Sequence, residues 1–184
     1  MSKVFGIGMH KTGTSSLGRA LEVLGYQSCM GANTLRAHLG EKKLMTRLFA
    51  GNYAEIFEFA DNYSAFNDLP WCLLYKELDA HFPNSKFILT VRNEQEWIQS
   101  CVKYFKDSTS VFRLWVYGVP NPLNNEKIFL ERYRKHNKEV AEYFKGRKDL
   151  LVLDINDEDK WDKVSSFLKK GKPSASFPHI NKNH

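Results

Sequence analysis

Gly8-Met9-His10-Lys11-Thr12-Gly13-Thr14-Ser15-Ser16 decides how the rest of the chain is read. Two glycines bracket a single lysine, and four hydroxyl side chains, Thr12, Thr14, Ser15 and Ser16, crowd around the second glycine. Before this stretch, Val4 to Gly8 reads as a short apolar strand that ends in a glycine turn. After it, Thr14 to Leu24 reads as a helix with Leu17, Ala20, Leu21 and Leu24 on one face at helical spacing. A strand, a glycine loop and a helix in that order aim backbone N–H groups at one point, which makes an anion site. Lys11 adds a full positive charge there, and the hydroxyls add donors.

The pattern G-x-x-x-x-G-K-[ST] of nucleoside triphosphate-binding loops is similar but not identical. Gly8 and Gly13 keep its glycine spacing, and Ser15 stands at its magnesium-binding hydroxyl. Its lysine position holds Thr14, and the lysine lies three residues earlier, at Lys11. Such a loop grips a phosphate-like group with its cation on a different side.

Further strands are predicted at Tyr26–Cys29, Ser64–Asn67, Lys86–Val91 and Leu150–Asp154. Residues 33–50 and 52–60 are helical in pattern. Asp68-Leu69-Pro70 opens a helix to His81, with Asp68 as N-cap and Pro70 in the first turn. Phe82-Pro83-Asn84 makes a turn, and Glu94–Phe105, Glu126–Phe144 and Lys160–Leu168 are helices. Residues 106–125, broken by Gly118, Pro120 and Pro122, read as an irregular segment of the kind that forms a lid. The last fifteen residues read as irregular.

Strands alternating with helices make an α/β chain. The expected architecture is a three-layer fold of the P-loop NTPase type, one domain over residues 1–184, with a central parallel sheet of about five strands and helices on both faces. Ligands bind such sheets at the carboxyl ends of the strands. That rule ranks loop 8–16, Asp68, Arg92 with Asn93, and Ile155 with Asn156 as candidates.

Composition narrows the partner. The chain has 27 Lys and Arg against 21 Asp and Glu, a net charge of +6, and 14% aromatic residues, enough for a packed core. A basic balance fits a nucleotide, a nucleic acid or an acidic surface. The lysines are scattered and form no dense basic run interleaved with aromatics, so a small anionic ligand is favoured over nucleic acid. Cys29, Cys72 and Cys101 are odd in number and widely spaced, which fits reduced buried thiols better than disulfides or a zinc site. The start Met-Ser-Lys-Val-Phe-Gly is no signal peptide, and no stretch nears the roughly 20 apolar residues of a membrane span, so a cytoplasmic protein is the simplest reading. Trp71, Trp97, Trp115 and Trp161 are read as core.

Lys-Thr-Gly-Thr-Ser-Ser-Leu at 11–17 resembles the 5′-phosphosulfate motif of sulfotransferases that use 3′-phosphoadenosine 5′-phosphosulfate (PAPS). Phe87-Ile88-Leu89-Thr90-Val91-Arg92, with Ser100 eight residues after the arginine, resembles that family's 3′-phosphate motif. Arg92 offers a planar fork of donors to phosphate, and Ser100 adds a hydroxyl from the next helix. Asn67-Asp68-Leu69-Pro70 stands where well-known cytosolic members carry threonine-histidine-leucine-proline, so the resemblance puts Asp68 at the general base's position. Asp68 departs from the histidine pattern and competes with a plain helix-capping role. Phe177-Pro178-His179-Ile180-Asn181 resembles a segment of bacterial-type members that closes over the donor; a plain tail is the other reading. His136 either faces the acceptor pocket or is a satisfied helix histidine. His10 either lines the site or is buried for structure.

The resemblance implies sulfuryl transfer from PAPS, leaving 3′-phosphoadenosine 5′-phosphate (PAP), to a hydroxyl or amine of a small-molecule, carbohydrate or lipid acceptor. Lys11 and Asp68 are the implied catalytic pair, Lys11 beside the leaving phosphate and Asp68 taking the acceptor's proton. Lys11, Thr12, Gly13, Thr14, Ser15 and Ser16 hold the 5′-phosphate side of the donor, Arg92 and Ser100 its 3′-phosphate, and no metal is needed. Two rivals use the same fold: a small-molecule or nucleotide kinase, and a non-catalytic anion-binding module.

Overall fold

The structure, a computed structural model, describes residues 2–180. Its strands are β1 (Val4–Gly6), β2 (Ser28–Met30), β3 (Ala65–Asn67), β4 (Lys86–Val91) and β5 (Leu150–Asp154). They form one parallel sheet in the order β2-β3-β1-β4-β5. The helices are α1 (Thr14–Val23), α2 (Gly31–Leu39), α3 (Glu41–Ala50), α4 (Ala54–Ala60), α5 (Tyr75–His81), α6 (Glu94–Phe105), α7 (Val111–Tyr117), α8 (Glu126–Tyr143) and α9 (Lys160–Leu168). The expected α/β architecture, a five-stranded parallel sheet between helical layers, is what the chain adopts.

Alternation along the strands builds the two layers. The register sets Phe5 between Phe66 and Phe87, ring centroids 4.9 and 5.5 Å away, as an aromatic ladder across one face. Leu78 of α5 and Phe129, Tyr133 and Val140 of α8 belong to the core on that side. The alternate residues Val4, Ala65 and Ile88 pack with Leu17 and Leu21 of α1 and Trp161 and Val164 of α9. With both faces covered, the short strands read as continuous apolar runs.

On α8 the buried residues are Phe129, Tyr133, His136 and Val140, the spacing of one helix face. His136 is 1% exposed, and its Nε2–H donates to the Ile7 carbonyl at 2.7 Å. It ties α8 to the chain leaving β1 and does not face a pocket. Burial pushes its pKa down to about 4, so the ring is neutral.

Gly8 is where the loop meets the sheet. A Cβ there would lie 2.5 Å from the Thr90 carbonyl oxygen and 2.8 Å from Thr12 Oγ1. The Thr12 hydroxyl donates to the Met9 carbonyl at 2.6 Å, so Thr90 supplies the proton for the 2.6 Å bond between the two threonine hydroxyls. Loop 8–16 is thereby fastened to the end of β4 through buried groups.

Three expectations are corrected. The stretch 33–50 is two helices, because Gly40 adopts φ 77° and ends α2 before α3 begins. Residues 106–125 contain α7; Gly118 is its left-handed cap, and Pro120 and Pro122 lie beyond it. Glycine and proline mark a helix end there and do not fill a loop. Asp68 is no N-cap: it sits at φ 68°, its carboxylate accepts from the adjacent Leu69 N–H at 2.9 Å, and only a 3₁₀ turn (Trp71–Leu73) precedes α5. Cys29, Cys72 and Cys101 are free and buried, and Trp71, Trp97 and Trp161 are core residues, with Trp115 half-buried.

Two outcomes follow from this packing. Gly8→Ala should cost about 1–3 kcal/mol or more through overpacking against backbone that cannot yield, read as a lower urea midpoint at unchanged slope. His136 has a folded pKa depressed below its ordinary 6.5, so the unfolded chain binds the proton first and stability is lost as pH falls from 6.5 toward about 4. Urea unfolding at a series of pH values should show a shallower acid loss in His136→Gln, whose amide also donates to Ile7 but does not titrate.

Candidate active site

The carboxyl ends of β3, β1 and β4 open into one cleft of about 910 Å³. That is room for a nucleotide-sized ligand beside another small molecule. The sheet order fixes how these residues are laid out: Asp68 directly follows β3, Lys11 lies in the loop after β1, and Arg92 directly follows β4. The catalytic and donor-binding residues implied by the family resemblance border the cleft: Lys11, Thr12, Gly13, Thr14, Ser15, Ser16, Asp68, Arg92 and Ser100.

Gly13, at φ 92°, turns the chain into α1, whose first backbone bond runs from Leu17 N–H to the Gly13 carbonyl at 3.0 Å. The amides of Thr14, Ser15 and Ser16 are therefore first-turn donors that, among the described residues, have no carbonyl acceptor and no side-chain cap. They and the helix dipole suit an anion. Thr12 differs from its neighbours. Its hydroxyl is fully buried and spent on Met9 and Thr90, so it can offer a ligand only its backbone.

Lys11 and Asp68 both have left-handed backbones, φ 64° and 68°. Aspartate tolerates that region better than lysine, and such residues cost about 1–3 kcal/mol unless the surroundings impose them. What imposes Lys11 is the box around His10. Trp97 Nε1–H donates to the His10 carbonyl at 2.8 Å, Tyr117 pairs with His10 Nε2 at 3.0 Å, and Phe105 meets the ring edge-on at 4.9 Å. Burial first, then Arg113 and Lys11, push the His10 pKa down to about 3. His10 thus borders the cleft but serves as the loop's neutral, buried footing.

Burial pushes the Lys11 ammonium below its ordinary value, with Arg92 acting the same way and Asp68 opposing. Asp68 lies at the cleft floor, partly accessible from the cleft yet deep in the protein. Desolvation raises its pKa, against the Leu69 N–H, the Thr14 hydroxyl and Lys11, which lower it. A carboxyl held above its usual range is closer to what a general base needs than a helix-capping carboxylate is.

On the other side of Lys11, the Tyr133 hydroxyl clasps the Arg92 backbone: it accepts from Arg92 N–H at 2.9 Å and donates to the Arg92 carbonyl at 2.9 Å. The Arg92 guanidinium contacts Glu96 at 3.2 Å, and Ser100 stands one turn further along α6. Asn93 is the N-cap of α6, accepting from Gln95 and Glu96 amides at 3.0 and 3.3 Å, so it belongs to the scaffold. Ile155 packs on Gly13. The segment 177–180 also reaches the cleft: Trp161 Nε1–H donates to the Ala175 carbonyl at 2.8 Å, Phe177 packs edge-on to Trp161, and Ile180 N–H donates to Ser16 Oγ at 3.1 Å. Asn181 of the same motif lies outside the described residues. Thr90 and Tyr133 escape a reading of the sequence. A lone hydroxyl inside the apolar run of β4 is a signal for Thr90, whereas Tyr133 has the pattern of any buried aromatic on a helix.

A sulfotransferase domain model matches residues 3–126 and 108–184. The Ava biosynthesis cluster protein M of Aspergillus versicolor is 25% identical over a 213-residue alignment that covers 97% of this chain and 80% of that protein. The crystal structure of a sulfotransferase from Alicyclobacillus acidocaldarius superposes with a TM-score of 0.56 at 16% identity, over all of this chain and 86% of that one, a likeness of fold. Among the described residues no helix is long and apolar enough to cross a membrane. With the family model spanning nearly its whole length, the chain belongs to the sulfotransferase domain family.

Proposed function

We propose that this sulfotransferase moves a sulfuryl group from PAPS to a hydroxyl or amine of a small acceptor, with Lys11 and Asp68 as the catalytic pair. The observation that carries the reading is the order Asp68, Lys11, Arg92 along the carboxyl end of the sheet within one cleft, which supports the roles of base, cation and phosphate-binding arginine. The donor supplies the activated sulfuryl group. The free amides of Thr14, Ser15 and Ser16 fit its 5′-phosphate, and Arg92 with Ser100 fits its 3′-phosphate. Thr12 contributes as the fastener of the loop. Lys11 balances charge on the phosphate oxygen as its bond to sulfur breaks. Asp68, on the β2 side of Lys11, takes the proton of the acceptor as its bond to sulfur forms. Nothing in these roles calls for a metal.

Calorimetry with PAP should give tight binding that is unchanged by magnesium or by EDTA; preference for magnesium-ATP would reject the reading in favour of a kinase. Transfer of radiolabelled sulfate to a panel of sugar, lipid, phenol and peptide acceptors should fall by about 10²–10³-fold in Lys11→Ala. It should fall by about 10²–10⁴-fold in Asp68→Ala with PAP affinity largely kept. Full transfer in Asp68→Ala would remove the base assignment.

Asp68 also links activity to pH and stability. Its raised pKa means that the base form, and with it transfer, is lost on acidification at a higher pH than for an ordinary aspartate. The sign for stability is opposite: a raised folded pKa favours folding at low pH, and that contribution fades as pH rises through it. Asp68→Asn should therefore unfold at higher urea than the parent at neutral pH, with the gain shrinking in acid.

A further inference from the structure

Lys11 reaches its place with no partner of the usual kind. Among the described residues no carboxylate pairs with its ammonium and no oxygen accepts a hydrogen bond from it. Arg92 leans on Glu96, and Lys160 is held by the Ile155 and Asp157 carbonyls. What Lys11 does have is an aromatic face: its Nζ sits 3.7 Å from the ring centroid of Tyr104. We propose that Tyr104 is a positioning residue for the sulfuryl transfer, its ring holding the Lys11 ammonium over the cleft. The catalytic consequence rests on the PAPS-dependent reading above; the contact itself does not.

The sequence places Tyr104 for this task. On α6 the residues Trp97, Ile98 and Cys101 are buried, while Glu96, Ser100 and Tyr104, four apart, form a row that borders the cleft. The row begins one turn from Arg92 and ends at Lys11, so one helix face serves both the arginine and the lysine. Tyr104 is 55% exposed, yet its ring is set. It lies edge-on to Phe105 at 5.1 Å, and Phe105 is wedged between the His10 ring and the Arg113 guanidinium, whose carbon is 4.4 Å from the Phe105 centroid. The footing that imposes the backbone of Lys11 thus also seats the ring that receives its side chain.

An aromatic ring suits this task better than a carboxylate would. A carboxylate would neutralise Lys11 and occupy its N–H donors. The ring attracts the cation through its quadrupole and leaves donors free for the oxygens of a phosphate ester. It also spares the half-buried ammonium part of its desolvation penalty. The attraction comes from the ring face and not from the phenol hydroxyl, so phenylalanine should serve in place of tyrosine.

The test combines a contact readout with a rate. In protein labelled with ¹³C at lysine Cε, a ring-current-shifted CεH₂ signal, assigned by its absence in Lys11→Arg, should vanish in Tyr104→Leu and persist in Tyr104→Phe. Single-turnover release of sulfate from PAPS to water should slow by about five- to tenfold in Tyr104→Leu, as expected for loss of a partly desolvated cation–π contact. PAP affinity should change less than about twofold, and Tyr104→Phe should recover most of the lost rate. A shifted signal that survives in Tyr104→Leu, a Leu variant as fast as the parent, or a Phe variant as slow as Leu would overturn the proposal. If the parent neither binds PAP nor releases sulfate, the donor assignment has failed, and the lysine signal still decides whether the ring holds Lys11.

Discussion

The site depends on how closely loop 8–16 lies against the end of β4. Gly8 has no space for a side chain beside Thr90, and two threonine hydroxyls bridge the gap between loop and strand. That approach places the amides at the start of α1 and the ammonium of Lys11 next to the strand that ends in Arg92. Remove it and the first amides of α1, the Lys11 ammonium and Arg92 are no longer held at a fixed spacing. The Tyr133 clasp on the Arg92 backbone and the Trp97 bond to the His10 carbonyl fix the same region from α8 and α6. Strand and helix residues therefore hold the loop that carries Lys11 and set its spacing from Arg92, the kind of preorganisation that electrostatic catalysis requires.

The same compactness has costs that the fold absorbs. Lys11 and Asp68 both occupy left-handed backbone, and both are partly stripped of water in directions that disfavour their charged forms. Each is answered locally: the His10 box under Lys11, and the Leu69 amide and Thr14 hydroxyl at Asp68. Strain and desolvation of this kind cluster where function and stability compete, which is what favours Lys11 and Asp68 as the proposed pair.

Much of this is legible in the sequence because its local signals agree. The strands at Val4, Lys86 and Leu150 and the helix at Glu126 have the periodicity and the bounding turn residues that their packing needs, so the order of elements and the parallel sheet follow. The residues expected to hold the donor do line one cleft. What stays hidden depends on contacts between segments far apart in sequence. Thr12 reads as one more ligand hydroxyl, and only the fold reveals its buried partner Thr90. Asp68 has the pattern of a helix cap because proline two residues later often opens a helix, yet here only a 3₁₀ turn follows. Gly118, Pro120 and Pro122 suggest a loop, because breakers do not reveal whether a helix precedes them. His136 and Tyr133 have helical spacing that fits any core; their bonds to Ile7 and Arg92 come only with the fold.

A crystal structure of the PAP complex tests most directly whether one phosphate of the donor sits on the Lys11 loop and the other beside the end of β4. The 5′-phosphate is expected on the amides of residues 13–16 beside Lys11, and the 3′-phosphate on Arg92 and Ser100. A nucleotide bound outside this cleft, or one whose 3′-phosphate lies away from Arg92, would contradict this placement.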